Sequence, residues 1–156
     1  MKVLILGGTQ FVGRHLVEAA LDAGHEVTLF NRGKTNPGIY PGVTEIHGDR
    51  VDDIGKLAGY TWDVVFDPSG YVPRIVRKSA EFLKDAVGRY VFVSSISVYA
   101  EHDRTTEGDP LEQVNDPTTE EIAGHYGGLK ALCEGVVTEI YGDRGLNVRP
   151  GFIVGP

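Results

Sequence analysis

Cysteine occurs once in the 156 residues, at Cys133. A single thiol closes no internal disulfide, which rules out a disulfide-stapled scaffold and makes a reducing compartment, the cytoplasm, the expected location. Long apolar runs are also missing. The N-terminal one, Val3-Leu4-Ile5-Leu6, stops at Gly7 with no small-residue cleavage site behind it, unlike a signal peptide. Nothing approaches the roughly 20 apolar residues of a membrane span. Positive charge is scarce as well: 15 Lys and Arg stand against 22 Asp and Glu, a net charge of −7, with no basic cluster. Neither nucleic acid nor an anionic membrane is therefore an expected partner of this segment. The five histidines, His15, His25, His47, His102 and His125, show no metal-ligand spacing, so no metal is expected.

What is present is an ordinary globular composition, 41% hydrophobic and 24% charged. The length suits one domain with a sizeable core. Residues 2–6 read as a strand buried on both faces. Over residues 11–23 apolar side chains recur every three or four positions, a helix stopped by Gly24. Further strands are expected at 26–30, 43–47, 62–66, 89–94 and 146–149. Helices are expected at 73–86, with Pro73 in the first turn, and at 124–141. Residues 100–123 are polar and aperiodic, a long surface loop of a length that usually carries function. This alternation predicts an α/β fold: a doubly wound parallel sheet of six strands, helices on both faces, and right-handed crossovers. The sequence RPGFIVGP follows directly on the last strand, and the chain is expected to be a piece of a longer protein.

The first strand-to-helix turn is Gly7-Gly8-Thr9-Gln10-Phe11-Val12-Gly13. Small residues there let backbone N–H groups approach a pyrophosphate, and the helix N-terminus adds partial positive charge. Gly13 allows close packing of the helix on the first strand. Taken alone, the same turn also serves α/β proteins that bind no nucleotide. About 20 residues on, the second strand ends in Asn31-Arg32-Gly33-Lys34. An acidic residue at that place accepts from the ribose 2′-OH of NAD, whereas an Arg accommodates the 2′-phosphate of NADP. NADP is thus preferred over NAD, unless Arg32 is only a solvated loop charge.

Tyr126 and Lys130 stand four apart in Tyr-Gly-Gly-Leu-Lys, one turn apart on one helix face. Leu129, Leu132, Cys133, Val136, Val137 and Ile140 form an apolar stripe with Lys130 at its edge. That stripe makes Cys133 core rather than nucleophile. A cation beside a phenol stabilises the phenolate and brings it toward the range of a general acid/base. The alternative is a core tyrosine and a lysine that snorkels its head to water. The fifth strand ends in Ser94-Ser95-Ile96-Ser97-Val98-Tyr99, hydroxyls at the carboxyl end of a central strand, where open α/β sheets bind ligands.

Together these motifs resemble, in order and spacing over nearly the whole chain, the N-terminal part of extended and atypical short-chain dehydrogenases/reductases of the NAD-dependent epimerase/dehydratase type. The chain departs from the family's GxxGxxG loop at Gln10. The resemblance implies a dinucleotide-binding Rossmann domain over residues 1–156, with a C-terminal substrate domain missing from this chain. It implies hydride transfer by an oxidoreductase, epimerase or dehydratase with Ser95, Tyr126 and Lys130 as the catalytic set, and Ser94 and Ser97 as rivals of Ser95. Cofactor contacts are implied at Gly7, Thr9, Gln10, Phe11, Val12, Gly13, Asn31, Arg32, Asp49, Arg50, Pro68, Ser69, Gly70, Pro150 and Ile153. Glu107 and Arg149 fall on further family positions. A small-molecule substrate such as a sugar nucleotide is implied, and a homodimer pairing through the helices at 73–86 and 124–141. The same loop, with Thr28-Leu29-Phe30-Asn31-Arg32-Gly33, also resembles plant stem-loop-binding members of the superfamily, which opens a non-catalytic or RNA-binding alternative.

Overall fold

The computed structural model describes residues 1–101 and 106–155. Six strands form one parallel sheet: β1 (Lys2–Leu6), β2 (Glu26–Asn31), β3 (Thr44–His47), β4 (Trp62–Asp67), β5 (Val87–Val93) and β6 (Gly145–Val148). Their order is β3-β2-β1-β4-β5-β6. The chain steps outward from β1 in one direction and then returns to start β4 on its other side. That reversal places a switch point between β1 and β4, and the sheet is the doubly wound one expected.

Three helices cover it: α1 (Phe11–Asp22), α2 (Pro73–Leu83) and α3 (Tyr126–Tyr141). Strand side chains alternate between faces, and the core divides accordingly. Val3, Ile5, Val27 and Leu29 pack with Val17 of α1. Leu4, Leu6, Val65, Tyr90 and Phe92 pack with Val76 and Ala80 of α2 and with Cys133 and Val137 of α3. Each such fully buried aliphatic side chain contributes about 1.5–3 kcal/mol. The apolar stripes of α2 and α3 are thus turned to the sheet, and Cys133 is core as expected.

The boundaries differ from the pattern in two informative places. Helix α3 begins at Tyr126 rather than at residue 124, because Gly124 has φ +81° and cannot continue a right-handed helix. Helix α2 ends at Leu83, and β5 starts at Val87 opposite Trp62. The Ala86 carbonyl accepts from Trp62 N, closing that turn. Short 3₁₀ turns at Ile54–Leu57, Ile96–Val98 and Gly142–Arg144 are too brief to leave a periodic signal. Among the described residues no helix is long and apolar enough to cross a membrane. His102 lies outside the described residues.

Candidate functional site: a cleft at the switch point

The turn after β1 owes its shape to glycine. Gly7 and Gly8 have φ +121° and +97°, and a Cβ on Gly8 would stand 2.8 Å from a Leu29 methyl. A Cβ on Gly13 would lie 2.9 Å from Gly8 N, so the first turn of α1 rests directly on the loop. Gln10, the departure from the family pattern, is the N-cap at φ −138° and ψ 146°. That extended backbone suits any residue, so the position has no conformational need for glycine. Among the described residues no side chain caps α1, and no acidic residue stands in its first turn to offset its partial positive charge.

Two asparagines tie this loop to the segment after β2. Asn31 donates from Nδ2 to the Gly7 carbonyl at 3.4 Å and accepts from Gly33 N at 2.7 Å. Asn36, at φ +44°, donates to the Thr9 carbonyl at 3.1 Å. Between them Arg32, Gly33 and Lys34 arch along the rim of a cleft of about 360 Å³. Of the residues assigned to a cofactor from sequence, Gly7, Thr9, Gln10, Asn31, Arg32, Asp49, Arg50 and Ser69 line this cleft. Phe11, Val12, Gly13, Pro68, Gly70, Pro150 and Ile153 do not. Gly13 supports the loop from below, Gly70 backs onto Phe92 and Val76, and the Pro150 carbonyl accepts from Ile96 N.

Arg50 has a second task. Its guanidinium forks onto Asp67 at 2.9 and 2.6 Å and also donates to Ser79 Oγ. Asp67 is 0% exposed and takes a further bond from the Tyr90 hydroxyl at 2.7 Å. Burial pushes the Asp67 carboxyl up, but Arg50 beside it and these hydrogen bonds outweigh that and hold it below the usual carboxylate range. From Asp67 the chain turns through Ser69, whose N–H donates to Asp67 and whose Oγ donates to the Leu6 carbonyl.

This turn also seats Lys130, which is only 2% exposed and so does not run its head out to water. Its Nζ donates to the carbonyls of Gly70 at 2.8 Å and Val93 at 2.6 Å and lies 4.1 Å from the centre of the Phe92 ring. Burial draws its pKa down to about 8, against the opposing pull of Asp67. The ammonium also lies 5.2 Å from the centre of the Tyr71 ring, and Tyr71 in turn pairs with Tyr126, their ring centres 6.3 Å apart. Among the described residues the Tyr126 hydroxyl has no hydrogen-bond partner, and Tyr71 stands against both Lys130 and Tyr126. Tyr126 is partly exposed at the start of α3.

The serine cluster lies close by. Ser95 accepts from Ser97 N and donates to Ser97 Oγ, both at 3.1 Å, capping the 3₁₀ turn. Ser94 is buried, and among the described residues its Oγ has no partner. A Cβ on Gly127 would collide with the Ser97 carbonyl; glycine there lets the first turn of α3 pack closely on the turn that carries Ser97. Beyond it, Arg149 forks onto the buried Glu134 and donates to the Tyr99 hydroxyl and the Glu107 carbonyl. Sequence reasoning passed over Asp67, Tyr71 and Asn36. Asp67 did leave a trace, as a carboxylate closing the otherwise apolar strand end Val-Val-Phe-Asp.

Residues 3–67 match the model of a family described as the NAD dependent epimerase/dehydratase family. The chain is 31% identical to the chloroplast stem-loop binding protein of 41 kDa b from Arabidopsis thaliana, over 99% of this chain and 43% of that protein. It is similar to a crystal structure of UDP-galactose 4-epimerase, with a TM-score of 0.80 and 26% identity, over 100% of this chain and 58% of the other. The fold is shared with UDP-glucuronic acid 4-epimerase from Bacillus cereus in complex with NAD, at a TM-score of 0.77 and 19% identity, covering 100% and 58% of the two chains. The chain spans about half the length of the curated relatives it matches.

Proposed function

The chain belongs to the short-chain dehydrogenase/reductase and epimerase superfamily, of which it covers the N-terminal part, and from that premise we propose that the intact protein is an NAD(P)-dependent oxidoreductase, epimerase or dehydratase. The observation that carries this reading is the cleft over the glycine loop at the switch point, the place where open α/β sheets bind ligands. The backbone cradle left by Gly7, Gly8 and Gly13 fits a pyrophosphate, and a bound nicotinamide supplies the hydride donor or acceptor. Ser95 orients the substrate oxygen, Tyr126 exchanges its proton, and Lys130 provides the neighbouring positive charge. Relatives named for UDP-sugars support a sugar nucleotide as substrate.

Arg32 and Lys34 on the cleft rim, with no acidic residue at the end of β2, favour NADP over NAD. The test is fluorescence titration of the intact protein with NADPH and with NADH. NADPH is expected to bind about tenfold tighter or better, a difference of about 1.4 kcal/mol. Gly13→Val, which drives a branched side chain into the Gly8 backbone, is expected to abolish binding of both. Tighter binding of NADH would overturn the Arg32 assignment, and binding of neither would overturn the reading as a whole. The 31% identity to a stem-loop binding protein supports a second reading, an RNA-binding member. Its mark would be salt-dependent RNA binding by the intact protein, against the net charge of −7 in this segment.

A further inference from the structure

The ammonium of Lys130 meets protein on every side that the structure describes: the Gly70 and Val93 carbonyls, the Phe92 ring and the Tyr71 ring. Of these neighbours only Tyr71 also lines the cleft. It follows Gly70 directly, so the residue that offers a carbonyl to Nζ fixes the place of the ring beside it. The ring packs on Tyr126 as well, with an interplanar angle of 42°. Nothing in a four-residue spacing of tyrosine and lysine anticipates this third aromatic.

We propose that Tyr71 is a positioning residue of the site: its ring caps the Lys130 ammonium against the water of the cleft and keeps the lysine on the Gly70 and Val93 carbonyls. The geometry stands by itself, and its consequence for turnover rests on the role proposed above for Lys130. The ring acts on the ammonium in two opposing ways. Its π face attracts the cation, and its bulk withholds the water that would otherwise solvate the charge. Withheld water dominates, because burial is the leading influence on Lys130. The other groups around the ammonium are Asp67 at the end of β4, Arg50 after β3, and Cys133 and Glu134 on α3. Burial, with Tyr126 and Asp67 adding to it, pushes the Tyr71 phenol upward, so it stays neutral while Lys130 titrates.

The experiment is a pH titration of the intact protein carrying lysine labelled with ¹³C at Cε, the Lys130 resonance being identified by its loss in Lys130→Arg. The native midpoint is expected near 8. Tyr71→Phe keeps the ring and is expected to keep the midpoint. Tyr71→Leu and Tyr71→Ala admit water and are expected to raise it by about one unit or more toward the ordinary lysine value. An unchanged midpoint in both of these variants would overturn the proposal. An equal rise in Tyr71→Phe would do so too, by putting the hydroxyl rather than the ring in charge. Tyr71 is partly exposed, so all three replacements leave the core intact, and Leu and Ala both fall short of the reach of the ring. The readout needs no substrate. Its failure therefore leaves the dehydrogenase reading standing, and failure of cofactor binding leaves the capped lysine standing.

Discussion

Asp67→Ala is expected to lower the free energy of unfolding by about 3–5 kcal/mol, the loss typical of removing one partner from a buried ion pair. The size follows from what remains. Asp67 is fully buried and accepts both arms of the Arg50 fork, the Tyr90 hydroxyl and the Ser69 amide. Without it a nearly buried guanidinium keeps, among the described residues, only Ser79 as hydrogen-bond partner, and Tyr90 loses its acceptor in the core. Urea unfolding of the native and variant proteins measures the difference. The double variant Arg50→Met, Asp67→Leu is expected to recover much of the loss, because neither charge is then stranded. A drop below about 1 kcal/mol in Asp67→Ala would show that water reaches the pair. The pH dependence has a definite sign. A carboxyl held below its unfolded value contributes fully above that value and is lost only as the pH falls through the folded one. The pair's support is thus present at neutral pH and fails in strong acid.

On the proposed function, Tyr126→Phe is expected to lower turnover of the intact protein by about 10²–10⁴-fold, the usual contribution of a positioned acid/base group, with NADPH affinity close to native. Steady-state kinetics with a UDP-hexose, paired with the NADPH titration, separates the two. Native-like turnover would remove Tyr126 from the mechanism. The rival serines are distinguished in the same assay. Ser95→Ala is expected to lower kcat, whereas Ser94→Ala, at a buried hydroxyl without a partner, is expected to act on stability. The charge on Lys130 adds a pH signature. With its pKa drawn down to about 8, the lysine is cationic below that pH and neutral above it, so the assistance proposed for it is expected to decline as pH rises through about 8.

The strands were legible because a parallel sheet buries both faces: Val3, Leu4, Ile5 and Leu6 are all at most 1% exposed, and a continuous apolar run records that directly. The glycine loop was legible for a similar reason, since its backbone angles and the Gly13–Gly8 approach permit no other residue. Gln10 looked like a defect only because a motif carries no backbone angles; at φ −138° it is an ordinary extended residue. The environment of Lys130 was not legible. Its two carbonyl partners lie 60 and 37 positions away on different elements, and a helical period describes one helix alone. Arg50 reads as a cleft residue by position, and only the assembled sheet shows its guanidinium turned inward to Asp67.

The two asparagine amides that stitch the glycine loop to the segment after β2 bear on the thermodynamics of ligand capture. With Asn31 on the Gly7 carbonyl and Asn36 on the Thr9 carbonyl, the loop holds its shape before any anion arrives. Capture then carries little ordering entropy in the loop itself, and more of the contact energy is expressed as affinity. Preorganisation of the loop is, on this view, the work of side-chain amides bonded to its carbonyls.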